Sequence, residues 1–327
     1  MSKIAIIGSG SWGMALSVHL EKNGHNISVW SFSQEEADLI NNERTCKFLP
    51  EILISENIYC STNFDEVLKD SEIVLIVTPS KFVRDTVVKF KQYITNQMII
   101  MCSKGLEDNS LITLTDVIKE EIPNAKIGAL SGPSHAEEVA RGIPTAIVIA
   151  SENDEVLNKL QDLFVSDVFR VYTSKDLQGV EIGGALKNII ALCTGIAAGL
   201  GYGDNTFAAL ITRGLVEISR LGVEMGANNA TFYGLTGLGD LIVTCLSQHS
   251  RNRRAGFLIG QGKTMEEAVK EVGMVVESID NIKIAYKLMQ KYNVEMPIVN
   301  TVYDVLFNNL PVNEGVKSLM TRGKKEE

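Results

Sequence analysis

The 327 residues predict an α/β chain: a mainly parallel sheet in the first half, followed by an all-α domain. Three observations carry that class. Short apolar runs rich in β-branched residues recur through residues 1–180, separated by helical patterns, which is the alternation of a parallel sheet covered by helices. The first run is followed at once by Gly8-Ser9-Gly10-Ser11-Trp12-Gly13 and then by a helix, the order of a Rossmann-type dinucleotide-binding unit. From residue 181 onward the apolar spacing is helical and no strand pattern appears, so the expected domains are 1–180, NAD(P)-binding, and 181–327, all-α and substrate-carrying.

The totals bound the partners. With 45% hydrophobic residues the chain can fill two cores, and a net charge of −9 argues against a general nucleic-acid or anionic-membrane binder, though not against a local basic pocket. Cys46, Cys60, Cys102, Cys193 and Cys245 lie far apart in mostly apolar surroundings, as reduced core residues of a cytoplasmic protein do. No Cys/His cluster has the spacing of a zinc site, so no metal is expected. The apolar run 189–200 reads as too short to cross a bilayer, and the tail 321–327 reads as solvated and mobile.

Lys3-Ile4-Ala5-Ile6-Ile7 is the first strand, and the glycines after it have distinct tasks. Gly8 permits the tight turn, Gly10 lets the backbone approach a pyrophosphate, and Gly13 lets the helix pack close to the sheet. The helix ends at Asn23-Gly24-His25, and Asn26-Ile27-Ser28-Val29-Trp30 forms the second strand. The chain then reads Ser31-Phe32-Ser33, with neither the acid that holds a ribose 2′-hydroxyl nor the arginine that accepts a 2′-phosphate. Ser33 reads as a helix cap with Glu35 and Glu36 behind it, so the choice between NAD and NADP stays open.

Further strands follow at 72–77, 98–102, 126–130, 145–150 and 168–172, extending the parallel sheet to about residue 180. Thr78-Pro79-Ser80 and Ser103-Lys104-Gly105 leave the carboxyl ends of two of them, where ligands sit in open α/β sheets. Lys104 is there either a ligand contact or a solvated loop lysine. In Ser131-Gly132-Pro133-Ser134, Ser134 has the position of a helix cap with Glu137 three residues on.

The stretch 181–199 is apolar or Gly after Gly184 except at Lys187, Asn188 and Thr194, so it reads as a helix buried nearly all round. On the helical period Lys187, Ala191, Thr194 and Ala198 share a face of small side chains, with room for a ligand or a close neighbouring helix. Burial disfavours a charged amine, which suits Lys187 to acid/base work near neutral pH; a lysine escaping to the surface or sitting in an ion pair are the structural alternatives. A glycine-rich break at 199–205 leads to a helix over 206–221 that Asp204 or Asn205 can cap. Asp240 follows a glycine turn at or near a helix start, with Thr244 one turn on along the same face. Ser250-Arg251-Asn252-Arg253-Arg254 is either a phosphate receptor at a helix N-terminus or a solvated basic turn.

Taken in order, Gly8-Ser9-Gly10-Ser11-Trp12-Gly13, Ser103-Lys104-Gly105-Leu106-Glu107, Ser131-Gly132-Pro133-Ser134, Gly184-Ala185-Leu186-Lys187-Asn188, Gly201-Tyr202-Gly203-Asp204-Asn205-Thr206, Gly237-Leu238-Gly239-Asp240-Leu241 and Ser250-Arg251-Asn252-Arg253 resemble the motifs of the bacterial NAD(P)-dependent sn-glycerol-3-phosphate dehydrogenases. The resemblance covers nearly the whole chain. It implies reversible reduction of dihydroxyacetone phosphate to sn-glycerol 3-phosphate for glycerophospholipid synthesis, with NAD or NADP as cofactor. It makes Lys187 the general acid/base, with Lys104 and Asp240 beside it in the catalytic set. Lys104, Gly132, Ser134, Asp240, Ser250, Arg251 and Asn252 match its substrate contacts, to which Thr244 is added as an orienting hydroxyl. Ser11, Trp12, Lys104, Ala136, Arg251, Val275 and Glu277 match its dinucleotide contacts.

Two departures stand out. Ser31-Phe32-Ser33 replaces a segment that is basic in many members, and Val276-Glu277-Ser278 replaces the usual Val-Glu-Gly. The implied partner is a small phosphorylated substrate, with no nucleic acid and no stable membrane insertion; a homodimer stays open. A related two-domain hydroxy-acid dehydrogenase and a non-catalytic dinucleotide sensor are the alternatives, separated by substrate profiling with and without a phosphate group and by a cofactor-oxidation assay.

Overall fold

The computed structural model describes residues 1–324 and 326, so Lys325 and Glu327 of the tail expected to be mobile lie outside the described residues. The chain divides into two compact units, Met1–Glu107 with Ile112–Glu181, and Asp108–Leu111 with Ile182–Glu327.

The first unit is built on one eight-stranded sheet: β1 (Lys3–Ile7), β2 (Asn26–Trp30), β3 (Ile58–Ser61), β4 (Ile73–Ile76), β5 (Met98–Met101), β6 (Lys126–Ser131), β7 (Thr145–Ala150) and β8 (Phe169–Ser174). Its order is β3-β2-β1-β4-β5-β6-β7-β8, so the winding reverses between β1 and β4. Open α/β sheets hold ligands at such a reversal, outside the carboxyl ends of the strands. The helices are α1 (Ser11–Lys22), α2 (Gln34–Asp38), α3 (Phe64–Leu68), α4 (Val83–Phe90), α5 (Leu114–Glu121), α6 (Ala136–Arg141) and α7 (Asp154–Phe164). Ile4, Ile6, Ile73, Leu75 and Ile100 are completely buried and join one core with Leu16 and Leu20 of α1 and Leu160 and Phe164 of α7.

Two expectations need correction here. β3 was not foreseen; its Ile58-Tyr59-Cys60-Ser61 is short and leaves Tyr59 exposed, so it lacks the apolar run that marks a buried strand. The parallel sheet also stops at β6, because β7 joins it antiparallel, with Leu130 opposite Ile149, and β8 then runs parallel to β7. The apolar run Thr145–Ala150 marks a strand but carries no sign of its direction, which only the pairing with β6 sets.

From Ile182 the second unit runs through the rest of α8 (Leu177–Gly199, whose first residues belong to the first unit), then α9 (Asp204–Glu224), α10 (Asn229–Phe232), α11 (Asp240–Leu246), α12 (Arg251–Gly260), α13 (Met265–Val272), α14 (Glu277–Tyr292), α15 (Pro297–Phe307) and α16 (Val312–Met320). α8 starts earlier than expected, so that the whole helix, unlike the run 189–200 alone, is long enough to cross a bilayer; yet 89% of its most apolar window is buried inside the protein, as in a core helix. α9 is entered through Gly203, with Asp204 as its first helical residue, so neither Asp204 nor Asn205 is the cap. The glycines of α8, beside the face that carries Lys187, let α12 approach at backbone distance. A Cβ on Gly195 would lie 2.1 Å from the Arg253 carbonyl oxygen, and one on Gly256 would lie 2.0 Å from that of Leu192.

Candidate active site

In the first unit the glycine turn has the shape that its sequence requires. Gly8 has φ +129°, and a Cβ there would press on the Val77 backbone at 3.0 Å; a Cβ on Gly13 would meet the Gly8 carbonyl oxygen at 2.0 Å. Around Gly10 a Cβ would meet nothing within 4 Å, so a ligand can approach the backbone there. α1 begins beside it with no side chain capping its first-turn amides, which suits an anionic ligand. Ser11 and Trp12 open this helix, and the Trp12 indole donates to the Cys102 carbonyl oxygen at 3.2 Å, tying the turn to the end of β5. Next to Val77, the Thr78 hydroxyl is buried with no hydrogen-bond partner among the described residues. An open backbone cradle, free helix amides and an orphaned hydroxyl fit a dinucleotide phosphate group.

Lys104 and Gly132 come together in the same unit. Gly132, at φ +142°, turns the chain off β6, and its carbonyl oxygen accepts from Lys104 Nζ and from the Ser134 hydroxyl, each at 3.0 Å. Ser134 therefore does not cap α6: that position belongs to His135, which makes no side-chain cap, and Ala136 is the first helical residue. Lys104 is half-buried rather than a solvated loop lysine.

In the second unit Lys187 lies in the body of α8 and is only 5% exposed, which removes the surface-lysine alternative. Its Nζ donates to Asp240 Oδ1 at 2.6 Å and to Thr244 Oγ1 at 2.5 Å; the Thr244 hydroxyl in turn donates to the Asp240 carbonyl oxygen at 2.6 Å. Asp240 is itself 1% exposed. A buried ammonium is tolerated only beside an opposite charge, which Asp240 supplies. The helix start carrying Asp240 is positioned by a tight π-turn over Leu235–Gly239, where a Cβ on Gly237 would collide with the Phe232 carbonyl oxygen at 2.0 Å.

The start of α12 gathers unspent donors. The Ser250 hydroxyl accepts from the Arg253 amide at 3.2 Å, which leaves its proton to give, and Asn252 Oδ1 accepts from the Ser278 amide at 3.0 Å, which leaves its NH₂. Arg251, half-buried, makes no hydrogen bond or ion pair among the described residues. At the start of α14 the Glu277 carboxylate accepts from Asn188 Nδ2 at 2.9 Å, while Val275 is exposed in the preceding loop. Ser278 keeps a buried hydroxyl with no partner among the described residues.

Sequence reasoning missed Glu36. Glu36 does lie in the first turn of α2, as expected, and in addition its Oε2 accepts from the Ser9 hydroxyl in the glycine turn at 2.5 Å and from the Ser31 hydroxyl at 3.2 Å. The available signal was its place shortly after the second strand.

A doubly wound sheet with a dinucleotide-shaped glycine turn, together with a buried lysine held by a carboxylate and a hydroxyl, defines a nicotinamide-dinucleotide-dependent oxidoreductase. The models of the NAD-dependent glycerol-3-phosphate dehydrogenase N-terminus and C-terminus match residues 3–157 and 176–317. The chain belongs to that family. Among its relatives, the glycerol-3-phosphate dehydrogenase [NAD(P)+] of Fusobacterium nucleatum is 55% identical over 100% of this chain and 99% of its own length. That of Agathobacter rectalis is 50% identical over 100% and 98%. The crystal structure of glycerol-3-phosphate dehydrogenase from Coxiella burnetii is similar at TM-score 0.95 and 36% identity, covering 98% of this chain and 99% of that one.

Proposed function

We propose that the chain catalyses reversible reduction of dihydroxyacetone phosphate to sn-glycerol 3-phosphate with NADH or NADPH, in the cytoplasm, supplying the backbone of glycerophospholipids. The carrying observation is the buried Lys187 ammonium, bonded to Asp240 and Thr244 on a mostly apolar helix. The first unit would hold the dinucleotide through the glycine turn, Ser11, Trp12 and Ala136, and the second would hold the substrate. When bound, the nicotinamide supplies a hydride to the substrate's C2 and takes it back in the oxidising direction.

The chain's own residues handle the proton and the charge. Lys187 would give a proton to the C2 oxygen as negative charge develops there, and would take it from the alcohol in reverse. Asp240 and Thr244 fix the ammonium in one place, so its position is set before the substrate arrives. The Arg251 guanidinium, the Ser250 hydroxyl, the Asn252 NH₂ and the first amides of α12 would receive the phosphate, so that binding energy remote from C2 aligns the reacting carbonyl. Lys104, half-buried at the end of β5 and beside Gly132 and Ser134, would add a second cation toward substrate and cofactor. Arg251, Val275 and Glu277 would complete the cofactor contacts.

The deciding experiment follows cofactor absorbance with dihydroxyacetone phosphate and, separately, with unphosphorylated dihydroxyacetone and a 2-keto acid. Oxidation of NADH or NADPH with the phosphorylated ketone, and far less with the others, is expected. Equal rates without the phosphate, or a preference for the keto acid, would overturn the assignment.

A further inference from the structure

We propose that Glu36 sets the cofactor preference, receiving the adenosine ribose 2′-hydroxyl and turning away a 2′-phosphate, so that the chain binds NAD in preference to NADP. The inference rests on the dinucleotide reading of the glycine turn and deepens it. In folds of this class an acid at the end of the second strand accepts the ribose hydroxyl, while a basic residue there receives a 2′-phosphate. This chain has Ser31-Phe32-Ser33 at that point. The acid arrives instead from the next element: Ser33 caps the short helix α2, accepting from the Glu36 amide, and the Glu36 side chain returns to the glycine turn.

Its setting is built rather than incidental. Ser31 is completely buried and Ser9 only 5% exposed, their hydroxyl oxygens lie 2.9 Å apart, and both donate to Glu36 Oε2. The carboxylate is thus held by one oxygen. The other, Oε1, makes no hydrogen bond among the described residues, and Ser9 stands between Gly8 and Gly10, the glycines that shape the cradle. A ribose hydroxyl can give its proton to Oε1. A 2′-phosphate would bring its negative charge against a carboxylate, and no cation compensates from 31–38, which contains no Lys or Arg. The next basic residue, Arg44, directs its guanidinium to the carbonyl oxygens of Ile40 and Ile58.

The test measures NAD⁺ and NADP⁺ binding by isothermal titration calorimetry, without substrate, on the full chain and on Glu36→Gln and Glu36→Asp, with the melting midpoint of each ligand-free protein recorded. The wild type should bind NAD⁺ about tenfold or more tighter than NADP⁺, the worth of one hydrogen bond to a charged group. Glu36→Gln should narrow that ratio, chiefly by improving NADP⁺, and Glu36→Asp should keep the preference. A wild type that binds NADP⁺ as well as NAD⁺ overturns the proposal even if Glu36→Gln fails to fold. So does a Gln variant in which both affinities fall together, the signature of a carboxylate that only braces the turn. Binding of neither dinucleotide would instead bring down the cofactor reading itself.

Discussion

An ammonium that is 5% exposed, on a helix lined mostly with Ile, Leu and Ala, stays in place only while its counter-charge Asp240 stays close. Lys187→Met keeps the length and apolar stem of the side chain and removes its proton chemistry. Turnover of dihydroxyacetone phosphate should drop by about 10²–10⁴-fold, the range for losing a general acid, and near-normal turnover would remove Lys187 from the reaction. The ion pair makes a separate statement about stability. Asp240→Asn strands the ammonium with no counter-charge and should cost about 3–5 kcal/mol in urea unfolding. Adding Lys187→Met to that variant removes the stranded charge, so the double variant should be more stable than Asp240→Asn alone. Strictly additive losses would mean that the two groups do not depend on each other.

Elements meet here through glycines, and one crossing is open to direct test. α8 and α12 touch backbone to backbone, with Gly195 and Gly199 on one helix and Gly256 and Gly260 on the other. In Gly256→Ala the added carbon would sit 2.0 Å from the Leu192 carbonyl oxygen, so the helices must part. The expected loss is about 1–3 kcal/mol, as for overpacking elsewhere, and an unchanged unfolding midpoint would refute the close crossing. Such a contact is hard to read in a sequence, where a glycine inside a helix looks merely permissive. What was legible was local: the turn Gly8 to Gly13, the strands β1, β2 and β7, and the Ser33 and Ser250 caps are each set by residues adjacent in sequence. Relations over distance were harder. The direction of β7 is set by its pairing with β6, and Glu36 returns to the glycine turn from the far side of a cap. For Lys187 the burial was legible from its neighbours, while its counter-charge lies 53 residues further on, and only the face shared by Asp240 and Thr244 hinted at a paired role.

At the scale of the molecule, two buried carboxyls outside the proposed chemistry, one in each unit among the described residues, make stability depend on pH. Glu181 is pushed up to about 7 by burial, against the pull of its bonds from the Thr115 hydroxyl and amide. Glu217 is also pushed up to about 7 by burial, although its carboxylate accepts from the amides of Ile298 and Val299 at the start of α15. Both stand above the ordinary 4.5, so between 4.5 and 7 the folded chain holds protons that the unfolded chain has released. Their contribution to stability is therefore complete below about pH 4.5 and is lost as pH rises toward 7, by up to about 3 kcal/mol for each group. Glutamine does not titrate. Urea unfolding of wild type and Glu217→Gln from pH 4 to 8 should accordingly show a stability difference that is flat at the acid end, shifts toward the variant through the window, and is flat again above it. Whatever constant offset the amide introduces, that shape belongs to the ionisation alone. Glu181→Gln should show the same shape in the unfolding of the other unit. A difference independent of pH, or one that moves toward the wild type as pH rises, would mean that these carboxyls are ionised in the folded chain well below neutrality, their amide and hydroxyl donors outweighing burial.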